Sequence, residues 1–327
     1  MISAQGFSQM NAVSDTSQFI VSWPQGAGIA PPGFSWADGR NTSADQAGID
    51  DVGFIDKLID TLAQDYSIDT NRIYLCGFSN GGFMAQRLAC ELNNHFAGIG
   101  SLGASMDTVL IQNCSPSFNT PIIFFNGTAD PAMPYQGGPM QNPQVTPVVP
   151  VDTAVQFWVN HNLCESESDW IQVPDSFPDD LSTAEYKSFT NCACNADVQF
   201  FKLINGGHTW PGVYIAAQED ILGNTNRDIH ASRELWKFFE QFENCNTGLS
   251  VLQFLPEEII IYPNPVKSSF SVKGLNTNFL EILDSNGRSV FKSKVSNLVD
   301  ISELSSGIYI IKVNSEQGVY RKKLVKE

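Results

Sequence analysis

The sequence predicts an α/β protein, a doubly wound sheet with helices on both faces, followed by a small all-β sandwich. Three observations predict it. Apolar runs and helical patterns alternate up to about residue 243. Short strand-like runs between turn signals replace them from residue 259. The charge also changes sign: residues 257–327 hold ten Lys/Arg against eight Asp/Glu, net +2, and the rest holds nine against 27, net −18. Such a shift marks two modules. The chain of 327 residues suits one large and one small domain. The expected division is 1–245, a linker at 246–258, and a β module at 259–327.

Taken in order, Phe19-Ile20-Val21-Ser22-Trp23 reads as a buried strand ended by Pro24-Gln25-Gly26. A Pro/Gly-rich loop runs to about Gly39. Val52, Ile55, Leu58, Ile59 and Leu62, spaced by three and four, mark one face of a helix. Residues 73–76 form the next strand, and a helix follows from 81 to 92 with Met84 and Leu88 on one face. Residues 99–102 are a weak strand and 121–125 a strong one. A helix at 151–160, a strand at 198–204 and an amphipathic helix at 231–242 complete the region. This alternation means a parallel sheet covered on both faces. In the β module, strands are expected at 259–262, 270–272, 280–283, 290–292, 308–313 and 319–324. Pro263-Asn264-Pro265, Asn286-Gly287 and Ser306-Gly307 supply the turns.

A hydrophobic fraction of 42% with 17% charged residues supports a sizeable core and excludes disorder. The net charge of −16 argues against nucleic acid or anionic lipid as a partner, and equally suits a soluble surface. No run of about 18 apolar residues is present to cross a membrane. Met1-Ile2-Ser3-Ala4-Gln5 lacks the basic and apolar regions of a signal peptide. The seven cysteines form no pair of C-x-x-C motifs, so no metal site is expected, and no cofactor is implied. Six are enough for three bridges in an oxidising compartment. Cys76, in the apolar run Ile73-Tyr74-Leu75-Cys76, reads as a buried free thiol.

The central motif is Gly77-Phe78-Ser79-Asn80-Gly81, a G-x-S-x-G match between a predicted strand and a predicted helix. A serine hydroxyl is a poor nucleophile and must stand exposed on a tight turn, where glycines avoid clashes. The helix N-terminus beyond it favours developing negative charge. The bland alternative is a Gly-rich turn with a solvated Ser79. Such a serine needs a base, and a group to orient the base. Asp130 follows the strand at 121–125, and His208 follows the strand at 198–204 in Gly206-Gly207-His208-Thr209-Trp210. The order Ser, Asp, His is that of the α/β-hydrolase fold. Asp130 as an ordinary turn aspartate is the alternative. His95, His161 and His230 lie at helix ends and read as solvated or capping residues. In this reading His208 takes the Ser79 proton, Asp130 holds the imidazole, an acyl-Ser79 forms, and the backbone N–H of Asn80 donates to the oxyanion. Trp36, Trp170 and Trp210 are candidates for a substrate pocket, Trp210 foremost, and equally for core or rim positions.

At these motifs the chain resembles extracellular esterases of the polyhydroxybutyrate depolymerase-like group, with the related feruloyl and acetylxylan esterases. The resemblance covers about residues 5–243. It rests on Phe19–Gly26, a strand then Pro-Gln-Gly, on Asp50-Asp51-Val52-Gly53-Phe54, Gly77-Phe78-Ser79-Asn80-Gly81-Gly82, Gly127-Thr128-Ala129-Asp130-Pro131 and Gly207-His208-Thr209-Trp210-Pro211-Gly212. It implies Ser79, Asp130 and His208 as the catalytic triad, with a hydroxyalkanoate polyester or feruloyl or acetyl esters of plant polysaccharide as substrate. It also implies bridges Cys90–Cys114 and Cys164 to Cys192 or Cys194. Asn126 departs from the family, which has His before Gly-Thr.

The C-terminal part resembles the sorting domain of the type IX secretion system of Bacteroidetes. The matching pieces are Tyr262-Pro263-Asn264-Pro265, Ile282-Leu283-Asp284-Ser285-Asn286-Gly287, Leu304-Ser305-Ser306-Gly307-Ile308-Tyr309 and Lys323-Leu324-Val325. This implies the secretion machinery as a partner and an extracellular or cell-surface location. The alternative is a carbohydrate-binding sandwich.

Against the family pattern, residues 19–23 correspond to the fourth strand of eight, and the first three have no counterpart. With them would go the loop that carries a second oxyanion donor, and strand edges would be left unpaired. The expectation is that Met1 is an internal methionine of a longer, N-terminally truncated chain. A non-catalytic ligand-binding protein of the same fold is the competing function.

Overall fold

The computed structural model describes residues 4–30, 33–245, 260–273, 277–284, 288–293, 298–315 and 318–327. The chain forms two units, Met1–Gly248 and Leu249–Glu327. The expected linker at 246–258 and the Asn286-Gly287 turn lie outside the described residues.

The first unit opens with helices α1 (Ala4–Ser8) and α2 (Met10–Ser17) and a hairpin of β1 (Ala27–Ala30) and β2 (Gly33–Ser35). Helices α3 (Ser43–Gln46) and α4 (Asp51–Asp65) follow. Strand β3 (Tyr74–Phe78), helix α5 (Asn80–Glu91), strand β4 (Gly98–Leu102), helix α6 (Leu110–Asn113), strand β5 (Ile122–Gly127) and helix α7 (Val151–His161) come next. Strands β6 (Ser166–Glu167), β7 (Ile171–Gln172), β8 (Thr183–Thr190) and β9 (Val198–Ile204) precede helices α8 (Ala216–Leu222) and α9 (Ala231–Phe239).

The sheet runs in the order β3-β4-β5-β9-β8-β6, with β7 also paired to β8. Strands β3, β4, β5 and β9 are parallel. The expected all-parallel sheet is therefore corrected on one side: β8 is antiparallel to β9, and β6 and β7 are antiparallel to β8. Strands β8 and β9 are joined by residues 191–197, too few for the helical crossover that a parallel pair needs.

Period-two alternation sends successive side chains of the central strands to opposite faces. On one face Ile122 and Phe124 of β5 and Val198 and Phe200 of β9 pack with Ile55 and Ile59 of α4, Leu88 of α5 and Trp158 of α7. On the other, Ile123, Phe125, Phe201 and Leu203 pack with Met10 and Val13 of α2 and with Leu235, Phe238 and Phe239 of α9. Burying apolar side chains of this size contributes about 1.5–3 kcal/mol each. Both layers thus clamp the central strands, whose C-terminal ends carry the site.

Residues 19–23 are not a strand. The alternation is present: Phe19, Val21 and Trp23 pack on the second cluster while Ile20 is 64% exposed. The backbone, however, joins no ladder of the sheet among the described residues, and Phe19 instead stacks on Trp236 with centroids 4.1 Å apart. Strand β3 is the last strand on that side among the described residues. Cys76 of β3 is accordingly only partly buried as a residue. It is unpaired and packs against the second cluster, where burial pushes its thiol up to about 12.

Three disulfides join Cys90–Cys114, Cys164–Cys192 and Cys194–Cys245. The second resolves the choice between Cys192 and Cys194, and the third, whose partners were not named in advance, completes the three bridges that six cysteines allow.

The second unit contains β10 (Ile260–Tyr262), β11 (Ser269–Lys273), β12 (Thr277–Leu283), β13 (Ser289–Ser293), β14 (Val299–Asp300), β15 (Gly307–Ser315) and β16 (Gly318–Lys326). Two antiparallel sheets, β10-β11-β14 and β13-β12-β15-β16, share a core of Ile261, Phe270, Leu280, Ile282, Val299, Ile311 and Leu324. That is a β-sandwich. The Pro263-Asn264-Pro265 turn is tied to β16, since Asn264 donates to the Lys323 carbonyl and accepts from the Val325 N–H, both at 2.8 Å.

Candidate active site

Ser79 stands between β3 and α5 with φ 55° and ψ −121°. Few non-glycine residues adopt that backbone, at a cost of order 1–3 kcal/mol, so the surroundings must hold it. Its N–H donates to the Leu102 carbonyl at 2.9 Å, and its carbonyl accepts from Gly82 and Phe83 at 2.8 and 3.0 Å. The sharp strand-to-helix reversal also needs Gly77, where a Cβ would collide with the Gly81 carbonyl.

Asp130 follows β5. Its Oδ1 accepts the backbone N–H groups of Ala132 and Met133 at 2.8 and 2.7 Å, which fixes the carboxylate. His208 follows β9, and its N–H donates to the Leu222 carbonyl at 2.6 Å. Nδ1 of His208 lies 2.7 Å from Asp130 Oδ2, and Nε2 lies 2.8 Å from Ser79 Oγ. A carboxylate only accepts, so Nδ1 carries the proton and Nε2 is left as the acceptor facing the serine hydroxyl. The Phe78 ring, 4.8 Å from the imidazole, covers one side of it. The Asp130 side chain is fully buried and that of His208 nearly so, so solvent does little to weaken their attraction.

Asn80 opens α5, where the first N–H groups have no partner inside the helix and the dipole favours negative charge. Its side chain does more than the sequence indicated. Oδ1 accepts the Trp36 N–H at 2.8 Å, and Nδ2 donates to the Trp36 carbonyl at 3.2 Å and to Asp38 Oδ2 at 2.5 Å. Asp38 is fully buried and also accepts from Arg40 Nη2 at 2.6 Å, and Arg40 lies over the Phe83 ring at 3.5 Å. The loop between β2 and α3 is thereby locked onto the first turn of α5. Trp36 and Asp38 lie 44 and 42 positions from Asn80, and no local sequence pattern ties them to it.

Trp210, expected to bind substrate, is turned inward. It is 5% exposed, donates its indole N–H to Ser232 at 3.2 Å, and packs with Phe7 and Phe78, so it supports the His208 loop. The other histidines lie apart: His95 pairs with Asp56 at 2.9 Å, His161 bonds the Phe118 carbonyl at 3.0 Å, and His230, at the N-cap position of α9 but without a side-chain cap bond, lies 3.2 Å from Gln9 Oε1. Asn126 is buried, donates to the Ala104 carbonyl at 3.0 Å, and makes no hydrogen bond to the three residues. Among the described residues no cluster of His, Cys, Asp and Glu has metal-binding geometry, and no helix is long and apolar enough to cross a membrane.

A helix-flanked sheet with serine, histidine and carboxylate at the C-terminal ends of three parallel strands defines an α/β-hydrolase fold. The chain belongs to the phospholipase/carboxylesterase family, whose model matches residues 6–172, just over half of its length. Residues 260–327 match the secretion system C-terminal sorting domain, the type IX signal that directs a chain to the cell surface or the extracellular space. A putative esterase, NocK, of Nocardia uniformis is 27% identical over 55% of this chain and 54% of that protein. Feruloyl esterase B of Piromyces equi is 30% identical over 45% of this chain and 27% of that protein. The chain thus spans about half or less of the length of these relatives. A solved acetyl xylan esterase from Aspergillus awamori is 14% identical, over 66% of this chain and 81% of that one, with a TM-score of 0.43.

Proposed function

We propose that this protein is a secreted carboxylic ester hydrolase that works through an acyl-serine intermediate. The observation that carries the reading is the continuous path from Asp130 Oδ2 through both nitrogens of His208 to Ser79 Oγ, at 2.7 and 2.8 Å. His208 Nε2 takes the hydroxyl proton as Ser79 Oγ adds to the ester carbonyl carbon. The oxyanion that forms lies toward the helix start, where the Asn80 N–H donates to it; one such donor is worth about 10²–10³ in rate. The imidazolium, stabilised by Asp130, then protonates the departing alkoxide. Water, deprotonated by His208, releases the acid from Ser79.

The substrates favoured are feruloyl or acetyl esters on plant polysaccharide, ahead of a hydroxyalkanoate polyester. Feruloyl esterases and a bifunctional acetylxylan esterase/xylanase among the relatives support that order. Secretion suits a polymeric substrate too large to enter a cell.

The test is hydrolysis of p-nitrophenyl acetate by the full chain beside Ser79→Ala. The expected outcome is turnover that drops by roughly 10⁴- to 10⁶-fold in the variant. Equal rates in the two folded proteins would leave a ligand-binding role as the better reading.

A further inference from the structure

The three tryptophans named as candidates for a substrate pocket have different surroundings. Trp210 is enclosed. Trp170 packs on Phe200 at 5.7 Å, with the Lys187 and Lys202 ammonium groups 5.6 and 5.0 Å from its ring, beside the antiparallel strands. Trp36 is partly exposed and belongs to the loop locked onto Asn80. Its ring lies nearly parallel to that of Phe54, at 24° with centroids 6.4 Å apart, and Phe54 is 43% exposed. The Trp36 indole nitrogen is 4.0 Å from where a Cβ on Gly81 would stand, two residues beyond Ser79. The indole N–H groups of Trp23, Trp158 and Trp210 each donate to a protein oxygen, whereas those of Trp36, Trp170 and Trp236 have no hydrogen-bond partner among the described residues, and of these Trp36 alone is placed beside the first turn of α5.

We infer that Trp36 and Phe54 form a ring subsite that sets a preference for esters with a planar aromatic acyl group over aliphatic ones; this rests on the esterase reading above and names the feature its site selects. Two aromatic faces beside the nucleophile's helix suit a flat ring, which prefers offset stacking. The open indole N–H suits an oxygen substituent on that ring, such as the hydroxyl or methoxyl of a feruloyl group. An aliphatic acyl chain gains neither contact. The double hydrogen bond between Asn80 and the Trp36 backbone fixes the platform before substrate arrives, so little ordering is needed on binding.

The experiment compares kcat/KM of the full chain for methyl ferulate, methyl cinnamate and methyl butyrate, which share one leaving group. Trp36→Ala should lower the methyl ferulate value at least about tenfold more than the methyl butyrate value, mainly through KM, and Phe54→Ala should act in the same direction by a smaller factor. Trp36→Phe should retain much of the cinnamate activity and lose more of the ferulate activity. Phe54 is on the surface, so its variant keeps the test open if Trp36→Ala fails to fold. Equal losses for all three esters in both alanine variants would overturn the inference and leave the pair as support for the loop. Wild-type hydrolysis of methyl butyrate without preference for the aryl esters would overturn it while leaving the esterase reading intact. If no ester is turned over, ferulate binding to Ser79→Ala by calorimetry decides separately: binding weakened by Trp36→Ala keeps the subsite, and no binding removes it.

Discussion

Asn80 and Trp36, 44 residues apart, hold each other by two hydrogen bonds, one in each direction between the Asn80 amide and the Trp36 backbone. The residue after Ser79 is thus fixed by a loop that belongs to neither of the elements around Ser79. Asn80→Ala removes both bonds and one donor to the buried Asp38. It should lower kcat for p-nitrophenyl acetate by about 10- to 100-fold with a smaller change in KM, because small displacements of reacting groups carry penalties of that size. A variant matching the wild type in kcat would show that the clamp does not position the N–H.

Asp130 has two separable tasks. Oδ1 anchors its turn through Ala132 and Met133, and Oδ2 holds His208 Nδ1. Asp130→Asn preserves the first and offers a donor to Nδ1, which favours the wrong tautomer. A drop of about 10⁴ in kcat with nearly unchanged thermal stability is expected. Asp130→Ala also leaves two N–H groups unmatched and should cost a further 1–3 kcal/mol or so of stability, read by chemical denaturation.

The bridges close segments of 24, 28 and 51 residues. Replacing Cys90 and Cys114 together by serine should destabilise the first unit by about 2–5 kcal/mol. Thiol counting provides a second check. Burial pushes Cys76 up to about 12, so at pH 8 the native protein should react negligibly with a disulfide reagent and expose one thiol on unfolding. Three or more reactive thiols after unfolding without reductant would contradict the pairing.

Burial, and then the nearby Arg233, lower the His230 pKa below its ordinary value of 6.5. The neutral ring is therefore favoured in the fold, and its position at the N-terminus of α9 also disfavours a positive charge. As pH falls through 6.5 the unfolded chain takes up the proton first, so His230 contributes a loss of stability that grows on acidification from there. His230→Gln should flatten the decline in melting temperature between about pH 6.5 and 5. An identical pH dependence in wild type and variant would count against this.

Much of this architecture was legible because its signals are local. The strand β5 is a run of apolar residues buried on both faces, and α4 has its apolar residues at helical spacing. Ser79, Asp130 and His208 were each identifiable as residues just past a strand, and the sheet then places them together. What was not legible depends on partners distant in sequence. Residues 19–23 have the alternation of a strand but no ladder to join, and alternation alone cannot report pairing. Strand β8 mixes Glu185 and Lys187 with Tyr186 and Phe189, since one side pairs with β9 and the other only with two short strands. Trp210 looked like a binding residue because it adjoins His208, yet Ser232 and Phe7 enclose it from 22 and more than 200 positions away. The Asn80 clamp was hidden for the same reason.

The central claim is that Ser79 is a nucleophile activated by His208. Incubation of the full chain with a fluorophosphonate, followed by intact-mass measurement and peptide mapping, tests it most directly. The account predicts one phosphonyl adduct per chain, on the peptide containing Ser79, lost in Ser79→Ala and formed far more slowly in His208→Ala. A folded protein that takes no adduct, or takes one at another residue with Ser79 unmodified, would contradict it.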